Sequence, residues 1–367
     1  MPMSLRCTKL CMGAGVSRRS DSRMEMGCWL AFRRCPWETA RPFDMKSTAN
    51  RRQFLQHITT AALVSAVAGT SRAAEKKEPF KISLAEWSLN KRMFKKSGAE
   101  PLDHLDFCKT ARSFGIDGVE YVNQMFFDKA TDAAYLGEMK KRQEGEGVTG
   151  LLIMCDREGN LGDPDEAKRA KTIENHLKWL DAAATLGCHS IRVNAASDAK
   201  LSFEEQMKLA ADGLHRLCVE ADKRGLFVVV ENHGGLSSNG LWLTGVMKAA
   251  DHARVGILPD FGNFYTDRNK GELYNPYKGL REFMPWVKKA MSAKAYDWDT
   301  GAGAFYTEDR REGREMTLDY QRLIDIVVKA GYNGYIGIEY EGDKHSEMEG
   351  IARTKKALDE LKALLSA

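Results

Sequence analysis

Histidine, paired cysteines and apolar runs of membrane-spanning length are scarce in this chain, and each shortage excludes something. Of 367 residues, 8 are histidine, and most apolar runs that read as strands end without one. A histidine-rich multi-metal centre is therefore not expected. There are 8 cysteines, but those beyond residue 74 (Cys108, Cys155, Cys188 and Cys218) are spread out, with no Cys-x-x-Cys. They read as buried thiols rather than as a disulfide framework or a thiolate metal site. No Gly-x-Gly-x-x-Gly follows the first strand-like run, which argues against an open dinucleotide-binding sheet. No Pro- or Ser-rich linker divides the chain. The apolar stretch from Ile58 to Gly69 falls short of the about 20 residues that cross a bilayer.

A basic surface is also missing once the front of the chain is set aside. Asn50-Arg-Arg-Gln-Phe-Leu55 followed by the Ile58–Gly69 stretch resembles a twin-arginine export signal. Ser71-Arg-Ala-Ala74 fits cleavage after Ala73. Residues 1–74 are read as a leader. Within it, 1–44 have no clear pattern and fit an upstream mis-start, and 45–74 form the signal. The leader holds 12 Lys+Arg and 4 Asp+Glu; the rest of the chain holds 43 and 47, a net charge of −4. The formal +4 of the whole chain is thus a property of the leader and gives no case for nucleic acid. The expected location is the periplasm, with no membrane attachment after cleavage.

Residues 75–367 alternate between strand-like and helix-like segments. Strands are expected at Phe80–Ala85, Gly118–Val122, Val148–Cys155, Ser190–Asn194, Leu226–Glu231, Val255–Asp260, Met291–Asp297 and Tyr335–Tyr340. Amphipathic helical spacing appears over Thr172–Leu186, Leu318–Ala330 and Ile351–Leu365. Gly115, Gly147, Gly187, Gly225 and Gly331 sit where helices should end. Eight rounds of strand and helix predict an α/β fold, a single-domain (β/α)8 barrel.

Three of the runs end in a carboxylate: Glu231 in Val230-Glu-Asn-His-Gly-Gly235, Asp260 in Pro259-Asp-Phe-Gly-Asn263, and Glu339 in Gly337-Ile-Glu-Tyr340. A carboxylate just past a buried strand is costly unless it binds a cation or moves a proton. In a barrel these strand ends converge on one face. Oxygen donors of this kind suit Mg²⁺, Mn²⁺ or Co²⁺. Each also has a plain structural reading, as a cap, a turn or an ion pair, and Glu341 competes with Glu339 for the functional place.

With Gly115-Ile-Asp-Gly-Val-Glu-Tyr121 and Leu186-Gly-Cys-His-Ser-Ile-Arg-Val-Asn194, these motifs resemble the xylose isomerase-like superfamily, the sugar phosphate isomerases and epimerases. The resemblance spans roughly residues 78–366. It implies a TIM barrel with a metal site of Glu, Asp, His and Glu from four later strands, three of them matched by Glu231, Asp260 and Glu339. It implies a divalent metal (Mn, Mg, Co or Zn) and two glutamates, Glu231 and Glu339, as the acid/base pair. The chain departs from the pattern at the fourth ligand. The strand Met291-Ser-Ala-Lys-Ala-Tyr-Asp297 offers Ser292 or Lys294 where the family has histidine. Three outcomes are open there: water completes the metal shell, His233 reaches in, or Lys294 replaces the cation. Lys294 is also a candidate base, with its pKa lowered by burial.

The function expected is a sugar isomerase or epimerase using metal-assisted proton transfer next to a carbonyl. A dehydratase of a sugar derivative and a non-catalytic carbohydrate-binding barrel are the alternatives. Candidate substrate contacts are His233, Glu120, Arg192, Asn194, Asn263 and Trp87. The partner expected is a small sugar, and a homo-oligomer is left open.

Overall fold

The computed structural model describes residues 78–96, 98–311 and 313–366. The leader expected over residues 1–74 lies outside them. Eight parallel strands form one sheet: β1 (Lys81–Ala85), β2 (Gly118–Val122), β3 (Thr149–Met154), β4 (Ser190–Val193), β5 (Phe227–Glu231), β6 (Val255–Leu258), β7 (Ala290–Ala295) and β8 (Tyr335–Tyr340). Each pairs with its chain neighbour from β1 to β6, and β8 lies between β1 and β7. The sheet curls until β6 meets β7. There the contact thins to bridges, Ile257 with Val287 and Asp260 with Ser292. Ser292 N–H donates to the Pro259 carbonyl (2.8 Å) and Phe261 N–H to the Ser292 carbonyl (3.1 Å). The fold is a nearly closed (β/α)8 barrel.

Local sequence explains the elements. Runs such as Phe227-Val-Val-Val are β-branched and buried on both faces, as strands sandwiched in a barrel must be. A helix follows each strand: α1 (Phe107–Ser113), α2 (Ala133–Gly145), α3 (Glu166–Leu186), α4 (Phe203–Asp222), α5 (Gly240–Ala250), α6 (Pro276–Phe283), α7 (Tyr320–Lys329) and α8 (Glu347–Ser366). The α3 N-cap is Asp165, which accepts from Ala167 and Lys168 N–H. A capping box joins Ser202 and Glu205 at the start of α4. The five predicted helix-ending glycines all have positive φ, from +63° to +82°, a region open to glycine without strain.

The main core packs the outer strand faces against the helices and includes Trp179, Trp242, Phe264 and Leu358. A separate small cluster of Ala85, Val122, Leu152, Met154, Val229, Leu258 and Ala290 plugs the barrel interior. Cys108, Cys155, Cys188 and Cys218 are free and buried. Two antiparallel hairpins, Tyr265–Asp267 with Glu272–Leu273 and Tyr306–Asp309 with Met316–Asp319, lie outside the eight expected strands; the second takes Leu318 and Asp319 from the helix expected over Leu318–Ala330, which begins at Tyr320. No described helix is long and apolar enough to cross a membrane.

Candidate active site

The three predicted carboxylates converge. Glu231 ends β5, Asp260 follows β6 and Glu339 lies on β8; their oxygens come within 4.8 Å of one another. All three are almost fully buried. Such a buried carboxylate cluster is a donor set that could hold a metal ion.

Each carboxylate is already engaged by protein donors. Glu231 accepts from Asn263 Nδ2 (2.8 Å), and its other oxygen lies 2.8 Å from Arg192 Nε. That second contact is off the N–H axis, so it is an ion pair more than a hydrogen bond. Asp260 Oδ1 accepts from the backbone N–H groups of Gly262 (2.8 Å) and Asn263 (2.9 Å). Ser292 Oγ lies 2.9 Å from Asp260 Oδ2 and 3.0 Å from Glu339 Oε2. One hydroxyl proton cannot serve two ionised oxygens. Burial pushes the Asp260 carboxyl well above its usual range against the pull of Lys294.

Lys294 decides the centre of the site. It is paired with Glu339 in the β7–β8 register and is 1 % exposed. Its ammonium donates to Glu339 Oε1 (2.7 Å) and Glu341 Oε1 (2.8 Å) and lies 3.5 Å from Asp260 Oδ2. Burial alone would lower its pKa, but Asp260, Glu339 and Glu341 overcome this and raise it well above the ordinary value. The expectation of a burial-lowered Lys294 base is corrected: surrounding carboxylates keep it a cation. The same charges separate the acids. Burial raises Glu231, but Arg192 and its other cationic neighbours win and hold it below the usual range. Burial dominates at Glu339 and raises it. Burial opposes ionisation of Glu341, but Lys294 and Arg311 hold it well below the usual range.

A cleft of about 360 Å³ opens over this centre, lined by Trp87, Asp156, Arg192, His233, Asn263, Glu339 and Glu341, with Arg157, Arg268 and Arg314 among its other walls. Glu339 faces the cleft; Glu231 lies beneath, behind Arg192 and Asn263. Of the predicted contacts, Trp87 donates to Glu341 (3.0 Å). Asn194 donates to Asp156 (2.8 Å) and lines a second cavity, about 490 Å³, which meets the cleft at His233. His233 is exposed on the wall that the two cavities share and is not a member of the carboxylate cluster. Glu120 lies apart: it is fully buried, accepts from Ser83 Oγ (2.7 Å) and lines neither cavity. Burial raises its pKa to about 8.

Asp156 is the functional candidate that sequence reasoning missed. It follows the apolar run of β3 just as Glu231 closes β5, so the same rule would have found it. Arg192 donates to it at 2.8 Å, and although burial opposes ionisation, Arg192 holds its pKa down to about 2. Arg311 was also missed. It sits on the loop of the Tyr306–Asp319 hairpin, donates to buried Asp309 (2.8 Å) and reaches Glu341 (3.2 Å). Nothing in its flanking sequence marks it.

The model of the xylose isomerase-like TIM barrel family matches residues 108–365. The chain belongs to this family. No curated protein matches it. Among solved structures, 3-keto-D-glucoside 4-epimerase from E. coli is 18% identical, covering 77% of this chain and 99% of its own, with a TM-score of 0.56. A xylose isomerase-like TIM barrel protein from Mycobacterium smegmatis, in complex with magnesium, is 16% identical over 78% and 98% (TM-score 0.56). The probable 3-DHS dehydratase AsbF from Bacillus anthracis is 15% identical over 76% and 99% (TM-score 0.54). At these identities the neighbours share the fold.

Proposed function

We propose that this protein is an isomerase or epimerase of a sugar or sugar derivative, working by proton transfer beside a carbonyl. The observation that carries the reading is the pair Glu231 and Glu339. They are two buried glutamates from different strands, with oxygens within 4.8 Å, under a polar cleft. Glu339, which lines the cleft, is the group that meets the substrate carbon first. Glu231 is its partner, held in place by Arg192 and Asn263. Positioned acid/base groups of this kind contribute about 10²–10⁴-fold to rate. Arg192, Asn263 and His233 supply donors for sugar hydroxyls, and Trp87 offers an aromatic face at the rim.

Lys294 already stands among the carboxylates, so in this reading the proton transfer is carried by protein groups alone. A dehydratase would share the first step and then expel hydroxide, and a neighbour of that type supports it as the second reading. We also propose that the protein acts outside the cytoplasm, on the strength of the twin-arginine leader.

Wash-in of solvent deuterium into a panel of ketoses and oxidised sugars, followed by NMR, tests the reading. At least one sugar is expected to exchange. Glu339→Gln should lower the rate by about 10²-fold or more. Sugars that bind without exchanging across the whole panel would leave a carbohydrate-binding barrel instead.

A further inference from the structure

We propose that the Lys294 ammonium is the resident cation of the carboxylate ring, standing where a divalent metal ion would otherwise bind, and that the protein folds and works without one. The first support is position. The ammonium is 2.7 Å from Glu339, 2.8 Å from Glu341 and 3.5 Å from Asp260. A metal ion held by those oxygens at its usual distance of about 2.0–2.2 Å would lie almost against it. Two like charges in a dry site repel strongly.

The second support is the state of the oxygens. Every carboxylate oxygen of Glu231, Asp260 and Glu339 lies within 3.0 Å of a donor in the protein. A metal ion would have to share these oxygens with side chains and backbone N–H groups that already occupy part of their accepting capacity. The third is enclosure of the lysine. A Cβ on Gly262 would come 2.7 Å from Lys294 Cγ, so glycine there admits the stem. Tyr320 Oη lies 2.9 and 2.8 Å from the Ala293 and Lys294 carbonyls, and its one proton ties the strand beneath the lysine. A lysine swung in from the surface would show none of this.

The chemical consequence rests on the proton-transfer reading above. The ammonium balances Glu339 and Glu341 without competing for substrate oxygens, since all its near neighbours are carboxylates. Polarisation of a substrate carbonyl then falls to the other cleft donors, chiefly Arg192 and Asn263.

The full-length protein, produced in medium supplemented with Mn²⁺, Co²⁺ and Zn²⁺, should be dialysed and its metal counted by mass spectrometry. Titration with Co²⁺ would follow by calorimetry and visible absorption. Wild type is expected to hold under about one-tenth of an equivalent and to give no Co²⁺ binding. Lys294→His removes the charge and adds an imidazole to three carboxylates, a set that suits divalent transition metals. That variant is expected to bind about one Co²⁺ with new visible bands. One tight equivalent in wild type overturns the proposal, and so does a folded Lys294→His that binds none. If that variant does not fold, as circular dichroism would show, the wild-type count alone decides. The count needs no substrate, so its failure leaves the proton-transfer reading standing, and absent deuterium exchange leaves the count standing.

Discussion

Glu120 carries a cost that pH can expose. Its carboxyl is fully buried, with Ser83 donating to one oxygen and no hydrogen-bond partner for the other among the described residues. Gly337 lies so close that a Cβ there would meet the carboxyl at 2.4 Å. Burial lifts the folded pKa to about 8 from an ordinary 4.5. The folded state therefore keeps a proton that the unfolded chain releases. Below pH 4.5 both states are protonated and nothing is lost. Between pH 4.5 and 8 stability falls as pH rises, by up to about 5 kcal/mol, and above 8 the loss is complete. Glu120→Gln removes this dependence, so its advantage over wild type should grow by several kcal/mol from pH 5 to pH 8. Urea unfolding at both pH values checks this; parallel profiles for the two proteins would refute it. The residue also shows a limit of sequence reading. Glu120 closes an apolar run as Glu231 does, and only side-chain direction and depth separate a buried acid from one beneath a cleft.

At the scale of elements, the glycines that end helices were legible in the sequence, while the capping box that opens α4 is seen only in the structure. Ser202-x-x-Glu205 forms a reciprocal cap, with Ser202 Oγ accepting from Glu205 N–H (3.2 Å) and Glu205 Oε2 from Ser202 N–H (3.0 Å). Ser202→Ala should cost about 1 kcal/mol while leaving ligand binding unchanged, because the cap lies outside the carboxylate site. A denaturation midpoint shift with unaltered sugar affinity is the expected result. Strand positions agreed to within one or two residues of the hydrophobic runs, because burial on both faces imposes a continuous apolar stretch. The Tyr306–Asp319 hairpin escaped notice. Its segment is short and charged, and it is ordered by long-range pairs such as Arg311 with Glu341 (3.2 Å) that no local pattern announces.

For the whole molecule, residues 1–74 and 75–367 separate by composition: the first segment is basic and the second carries −4. Residues Glu75–Ala367 make a compact unit by themselves. A chain begun at Ala74 should fold with the same melting temperature as the full chain. The exported form should begin at Ala74 when its N-terminus is mapped. Retention of the Arg51-Arg52 segment in the mature protein would refute the export reading.

The sequence by itself determined the barrel, because period, glycine caps and eight strand–helix rounds are local signals. It also determined three of the acids at the site, since a carboxylate closing a buried run stands out in one dimension. Only the tertiary structure decided what sits between them. Lys294 is 34 residues from Asp260 and 45 from Glu339 in the chain, and its charge meets theirs only when β7 packs between β6 and β8. Whether a lysine is a solvated tip, a proton acceptor or a fixed cation depends on the carboxylates within about 4 Å of its nitrogen, and closure of the barrel sets those distances.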